Sequence, residues 1–362
     1  MKKIILTGGG TAGHVTPNLA LLPHLRELGY EIHYIGSYQG IEKKLIENAG
    51  VEYHGIASGK LRRYFDLKNF TDPLRVLKGY GESLSLMKKL KPDVIFSKGG
   101  FVSVPVVLAA KHFKIPTIIH ESDMTPGLAN KICIPSAKKV CCNFPETLSY
   151  LPAEKAVLTG SPIRAELLKG DRLAGLQYTH LSASRPIILI IGGSLGSVTV
   201  NTAVRSILPK LLPDYQVIHI CGKGNLDENL IGTQGYVQYE YVDAPLRHLF
   251  AAADLIISRA GANSICEILA LRKPNILIPL SAAASRGDQI LNARSFAKQG
   301  FSTLLEEEAL NEETLYQAIA NTFSNRQAFI DAMSGSTLTN AVESVINLIE
   351  SYANPSRNNS AT

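Results

Sequence analysis

The sequence predicts an α/β protein built from two doubly wound Rossmann-like domains facing across a cleft. Three observations carry this. The chain has 362 residues, more than one compact core usually organises, so two domains are expected. An apolar strand running into a glycine turn and a helix occurs near the start and again from Pro186, so the second half restarts as the first began. Between and after these points, short apolar runs alternate with helical stretches, as in parallel sheets covered on both faces.

Hydrophobic residues make up 45% of the chain and charged residues 19%, which excludes a disordered protein. The five cysteines, at 133, 141, 142, 221 and 266, form no CxxC pair and lie in apolar segments. A reducing compartment is expected, with neither a disulfide framework nor a zinc site, and no metal or cofactor is predicted. The apolar run Ile4-Ile5-Leu6 is too short for a signal peptide. No run approaches the roughly 18 apolar residues of a spanning helix, so membrane association is expected to be peripheral.

Lys3 to Leu6 reads as a buried strand entering Gly8-Gly-Gly10-Thr11-Ala12-Gly13-His14, followed by a helix through about Leu28. Gly8, Gly10 and Gly13 fit GxGxxG, a turn whose amides and helix N-terminus attract phosphate. A nicotinamide site also requires an acidic residue closing the second strand, to hold the adenosine ribose. Strand Glu31 to Ile35 ends instead in Gly36-Ser37-Tyr38-Gln39, and Glu42 already belongs to the next helix. The loop therefore reads as a phosphate site of another kind.

Strand Asp93 to Ser97 leads to a second glycine turn, Lys98-Gly99-Gly100, and a helix through Ala110. Strand Thr117 to Ile119 then delivers His120-Glu121-Ser122-Asp123, and another helix begins near Pro126. Polar groups at successive strand ends form one rim, where doubly wound sheets bind ligands. The first domain is expected over 1–164, with Ser161 to Glu166 as the junction, and the second over 165–337. A helix is expected at about 338–352, and the small polar tail 353–362 is expected to fray.

In the second half, strand 186–191 enters Gly192-Gly-Ser194-Leu-Gly196-Ser197 and a helix containing Asn201. Strands 216–220 and 237–241 and a helix 245–253 follow. Strand Leu255 to Ser258 then runs into Arg259-Ala-Gly-Ala262, with a helix opening near Asn263 or Ser264 and Glu267 one turn in. Small residues and free helix-start amides suit a diphosphate, and a carboxylate just beyond matches the two neighbouring hydroxyls of a ribose. After strand 275–280, Arg286-Gly-Asp288-Gln289-Ile-Leu-Asn292 places a cation, an acid and two amides where a sugar could be gripped. Strand 301–305 and a helix 312–323 precede the last helix.

Charge is unevenly spread. Between Lys60 and Lys98 ten basic residues meet four acidic ones, which accounts for the net +6 of the whole chain. Leu61, Tyr64, Phe65, Phe70, Leu74, Leu77 and Tyr80 are interleaved with these cations, a mixture suited to anionic lipid. An amphipathic helix packed on its own domain explains the same pattern. No nucleic-acid reading motif accompanies the charge.

Several phosphate-type loops without a metal-ligand cluster suggest group transfer from a nucleotide-activated donor. Arg164, at the junction, is the candidate cation for the leaving diphosphate. His14 is the candidate base, since its ordinary pKa is near neutrality, with Glu121 and Asp123 as competitors.

Taken in order, GGGTAGHVTP, KGGFVSVP, HESDMTPGLANK, TGSPIR, IGGSLGS, RAGANSICE and GDQILNA resemble the MurG family of bacterial UDP-N-acetylglucosamine transferases over about residues 2–352. The resemblance implies the GT-B fold and an inverting, metal-independent transfer of N-acetylglucosamine from UDP to lipid I, undecaprenyl-pyrophosphoryl-muramoyl-pentapeptide, forming lipid II in peptidoglycan synthesis. It implies that Val242 recognises uracil through its backbone and that Glu267 holds ribose. Ser194, Asn263 and Ser264 would line the diphosphate, within a donor-binding segment that also includes Ala262, Ile265 and Cys266.

Thr11, Ala12, Gly13 and His14, with Asp123, Arg164, Asp288 and Gln289, fall at the donor sugar and reacting centre. Gly10, Gly13, Gly99 and Gly100 would bind the acceptor diphosphate. The family likeness further implies docking on the cytoplasmic face of the cell membrane, a last helix crossing back to the first domain, and cell-wall synthesis proteins as partners. Ala12, Asp123 and Asp288 depart from the family pattern of glycine, asparagine and glutamine. Two other functions fit parts of the sequence: a UDP-N-acetylglucosamine epimerase of the same fold, and a non-catalytic nucleotide-sugar-binding partner.

Overall fold

Ile4, Ile5 and Leu6 are wholly buried, and so are Ile188, Leu189 and Ile190. A strand with no solvent face must lie inside a sheet covered on both sides, which is how parallel sheets are built. The computed structural model describes residues 1–59, 72–193, 196–282 and 287–353. It contains two such sheets, each in its own unit, Met1–Arg164 with the final helix and Ala165–Thr339.

The first sheet comprises β1 (Lys3–Thr7), β2 (Glu31–Ser37), β3 (Glu52–Ile56), β4 (Val94–Ser97), β5 (Thr117–Glu121), β6 (Lys139–Cys142) and β7 (Ala156–Leu158), in the order β3-β2-β1-β4-β5-β6-β7. All its pairings are parallel. The order reverses between β1 and β4, the switch point at whose carboxyl edge doubly wound sheets bind ligands. Both predicted glycine turns stand there. His120 and Glu121, expected beyond the strand, are its last two residues.

The helix Ala341–Ala353 belongs to this unit, although 175 residues of the other unit separate it in sequence from Arg164. Val345, Ile346 and Ile349 enter the core with Ile4, Leu21 and Leu25. Each such side chain contributes about 1.5–3 kcal/mol by leaving water. Glu350 adds a salt bridge to Lys2 at 2.7 Å and accepts a hydrogen bond from the Tyr30 hydroxyl.

The second sheet holds β8 (Ile187–Ile191), β9 (Gln216–Ile220), β10 (Tyr236–Tyr239), β11 (Leu255–Ser258), β12 (Asn275–Leu277) and β13 (Thr303–Leu304), ordered β10-β9-β8-β11-β12-β13. Its reversal lies between β8 and β11. Strand β12 is shorter than its apolar run suggested: past Leu277 the Ile278 amide still bonds the Ser258 carbonyl, but Pro279 follows, which has no amide to donate. A helix at Arg326–Ser334 follows the one at Glu312–Ser324, where the sequence reading had assigned nothing.

Candidate active site

The helix Ala262–Leu271 starts after β11 with Gly261 as its N-cap, a residue that has no side chain to cap it. Its first-turn amides therefore point outward at the carboxyl edge of the sheet, where a helix N-terminus favours anions. Ser264, Glu267 and Ile268 are spaced three and four residues apart, so they share one helix face. That face lines a cavity of about 170 Å³ together with residues at the ends of β8 and β9, the segment after β10, and the neighbouring helix: Ile191, Ile220, Val242 and Phe250 among them. Apolar walls and one carboxylate at the rim suit a planar base continued by a ribose.

Ile265 and Cys266, which the donor-binding segment included, are only 1% and 6% exposed and do not line this cavity. Their position in the helical period turns them inward. Ser194 lies outside the described residues, as does Arg286. Arg259 is not available for phosphate: its guanidinium bonds Glu307, the Ser197 hydroxyl at 2.6 Å and the carbonyls of Ile278 and Pro279. Burial raises the Glu307 pKa, but bonds from Arg259 and the Ser281 amide outweigh it and hold the carboxyl below its ordinary value.

Gln289 accepts from the Leu280 amide at 3.1 Å, which fixes its side chain across the loop it was expected to serve. Asp288 opens the helix Asp288–Lys298 after Gly287, whose φ of 81° suits glycine. A carboxylate there is favoured by the helix dipole, which accounts for an acid at this departure from the family pattern. A larger cavity of about 500 Å³, lined by Arg172, Arg185, Arg272 and Lys273, sits where β8, β11 and β12 begin. That is the wrong end of the sheet for strand-end chemistry.

In the N-terminal unit the two glycine loops touch. A Cβ on Gly100 would stand 2.4 Å from the Gly9 carbonyl oxygen, and Gly100 has φ +86°. The amide of Gly10 donates to Glu42 at 3.3 Å and that of Gly99 to the Ser97 hydroxyl at 3.3 Å. Glu42, set aside by the sequence reading, is thus wholly buried and braces the first loop through Gly10 and Ser37.

Thr11 and Ala12 are exposed, and Ala12–His14 form a single 3-10 turn with Gly13 at its centre. His14 sits 3.1 Å from the Thr11 hydroxyl through Nδ1. Burial, then the charge of Lys98, lower its pKa to about 4, against weaker opposing effects of the Gly9 carbonyl and Glu42. It is neutral at physiological pH and has a lone pair to offer.

Glu121 is placed differently. It accepts from the amides of Ser122, Asp123 and Gly127 and from Asn130 Nδ2, at 2.8–3.1 Å. Burial raises its pKa. Four donors on two oxygens hold the loop 122–127 in shape and leave little room for a substrate proton. Asp123 is half-buried on that loop.

Lys98 is the residue the sequence reading passed over. Although 1% exposed, it donates to His120 Nδ1 and to the Ser122 hydroxyl, both at 2.7 Å. The available signal was a lysine directly after the strand Val94–Ser97, buried at all four positions, and before two glycines. Arg164 ends this unit with its Nε buried and without a hydrogen-bond partner among the described residues.

The chain is 66% identical over 350 residues, covering 97% of its own length and 99% of the relative, to a protein of Lachnoclostridium phytofermentans named UDP-N-acetylglucosamine--N-acetylmuramyl-(pentapeptide) pyrophosphoryl-undecaprenol N-acetylglucosamine transferase. A Clostridium novyi protein of the same name is 58% identical over 97% of this chain and 98% of its own. The crystal structure of Acinetobacter baumannii MurG superposes with a TM-score of 0.75 at 26% identity, covering 97% of this chain and 99% of that one. A UDP-GlcNAc 2-epimerase of Neisseria meningitidis shares the fold alone, at 13% identity and a TM-score of 0.65. Residues 4–142 match the glycosyltransferase family 28 N-terminal domain and residues 187–349 its C-terminal domain, so the chain belongs to glycosyltransferase family 28.

Proposed function

We propose that the chain transfers N-acetylglucosamine from UDP-N-acetylglucosamine to the muramoyl hydroxyl of lipid I, giving lipid II and UDP. The observation that carries this reading is full-length identity of 66% to a transferase named for that reaction, joined to a strand-end cavity with Glu267 on its wall. The likeness to epimerases is confined to the fold, so an isomerase reading has no comparable support.

In this reading uracil enters the cavity beside Val242, and Glu267 accepts hydrogen bonds from the ribose hydroxyls. The diphosphate lies at the N-terminus of Ala262–Leu271, where Ala262, Asn263 and Ser264 present first-turn groups. The acceptor oxygen attacks the anomeric carbon from the face opposite UDP, the bond to the diphosphate breaks with its electron pair, and the configuration inverts. His14 takes the hydroxyl proton, because its neutral ring has a lone pair while the Glu121 carboxylate is occupied by four donors. Arg164 offsets charge on the departing diphosphate.

Lys98 supplies a buried positive charge beside the glycine loops, where the acceptor's own diphosphate would lie. The lipid tail of that acceptor requires a membrane surface. The helix Asp72–Leu90 supports one: Leu74 and Leu77 are 67% and 65% exposed beside the exposed Arg75 and Lys78. The residues from Lys60 to Thr71 lie outside the described part. No described helix is long and apolar enough to cross a membrane.

Incubation with labelled UDP-N-acetylglucosamine and a lipid I analogue is expected to yield the disaccharide lipid. His14→Ala is expected to lower kcat about 100- to 10,000-fold, the range of a lost general base, with UDP affinity retained. Donor turnover without an acceptor would instead favour the isomerase, and loss of UDP binding in His14→Ala would remove the base assignment.

A further inference from the structure

Glu52 and His54 alternate along β3, the edge strand of the first sheet, and His33 lies on β2 directly opposite Glu52. Because side chains two apart share a face and parallel partners stay in register, these three groups point to the same side. His33 Nδ1 lies 3.3 Å from Glu52 Oε2 and 3.3 Å from His54 Nε2, and His54 Nε2 lies 3.5 Å from Glu52 Oε1. We propose that His33, Glu52 and His54 form a binding site for one divalent transition-metal ion of the zinc class.

The spacing argues for a metal. Zinc binds imidazole nitrogen and carboxylate oxygen at about 2.0–2.2 Å, and the edge of a tetrahedron is about 1.63 times its bond, so ligand atoms should stand about 3.3–3.6 Å apart. The closest approaches, 3.3, 3.3 and 3.5 Å, fall in or near that range, with Glu52 turning one oxygen to each histidine, and one ligand atom from each residue lies within 4.8 Å of the other two. Two imidazoles and a carboxylate also select zinc and its neighbours over calcium or magnesium, which prefer oxygen ligands.

The outer contact argues the same way. His33 Nε2 faces Glu31 Oε1 at 2.9 Å, and a carboxylate can only accept, so Nε2 is the donor there and the ring turns Nδ1 toward Glu52 and His54. Glu31 is held in turn by Lys3 at 3.0 Å. This is the outer carboxylate that metal-bound histidines usually have, fixing tautomer and orientation. Toward the shared point the chain then directs Nδ1 of His33, the Glu52 carboxylate and Nε2 of His54, three atoms of the kind that bind a cation. A cation resolves that convergence.

His33 is 3% exposed while the Glu52 side chain is 62% exposed, so an ion could enter from solvent and its fourth position would be open to water. His33 lies in the amino-terminal half of β2 and Glu52 opens β3, away from the glycine loops at the carboxyl edge. The site is therefore structural: it would pin the edge strand β3 to β2.

The test uses the full chain with no affinity tag, titrated with Zn²⁺ alone and separately with Co²⁺. One equivalent of Zn²⁺ is expected to bind, to raise the thermal midpoint by a few degrees at saturating metal, and to displace Co²⁺ showing the intense visible bands of a tetrahedral site. His54→Gln and Glu52→Gln, both at the accessible side, are expected to lose the uptake and the midpoint shift while keeping transferase activity. His14→Ala, a control histidine elsewhere, is expected to keep both. The proposal is overturned if no stoichiometric uptake occurs, or if uptake is undiminished in His54→Gln and Glu52→Gln.

Discussion

Lys98 Nζ donates to His120 Nδ1 across 2.7 Å, with both side chains buried. The imidazole can accept because its Nε2 faces the Gly160 carbonyl at 2.9 Å and so holds the ring proton. Burial, then Lys98, push the His120 pKa well below its ordinary value, so no second positive charge forms beside the lysine. The same ammonium acts on His14. Lys98→Met is expected to move the His14 pKa up from about 4 toward 6.5, as read from the imidazole proton resonances over a pH titration. An unmoved resonance would separate Lys98 from the catalytic chemistry.

Glu267 tests the donor site. Glu267→Ala is expected to weaken UDP binding by about 1–3 kcal/mol, the scale of a lost charged hydrogen bond. That is roughly a five- to 150-fold rise in Kd by calorimetry. Unchanged affinity would move the ribose elsewhere.

Gly100 tests the contact between the two glycine loops. Alanine there would need a φ of +86° and would place a methyl against the Gly9 carbonyl. Strain and overpacking together predict a loss of about 2 kcal/mol or more in urea unfolding, with activity reduced. Gly10→Ala meets no atom within 4 Å despite its φ of +87°, and is expected to cost less.

Acid stability follows from buried histidines. Burial, then Arg205, lower the His219 pKa from 6.5 to about 3, and His120 is also lowered. The unfolded chain takes up these protons as pH falls through 6.5 while the native chain does not, so stability is fully present above that pH and declines below it. At pH 5 His219 contributes a loss of roughly 2 kcal/mol, and His120 acts in the same direction. Urea midpoints at pH 7.5 and 5.0 should show the decline, and a smaller one in His219→Gln.

How much of this was legible in advance varies by segment. The strand at 255–258 was bounded by its short apolar run between Asp254 and Arg259, because a parallel strand buried on both faces admits few polar residues. The helix Arg326–Ser334 was not, because eight of its nine residues lie outside the core, Met333 being the buried one, so packing left little periodic signal. Glu267 was legible because it stands one turn from a recognisable helix start. Glu42 and Lys98 were not, since each works by reaching back to a loop that is distant in sequence.

Taken alone, the sequence determined the two parallel sheets, the glycine turns at their carboxyl edges and the kind of ligand such edges hold. These depend on local spacing: apolar runs, helix-start residues and conformationally free glycines act within a few positions. Only the tertiary structure decided which charges are spent and which remain. It committed Arg259 to Glu307 and Glu121 to four donors, kept His14 neutral through burial and Lys98, and set His33 against Glu52 and His54 across a strand pair. Burial and partnership depend on groups far apart in the chain, and local spacing does not encode them.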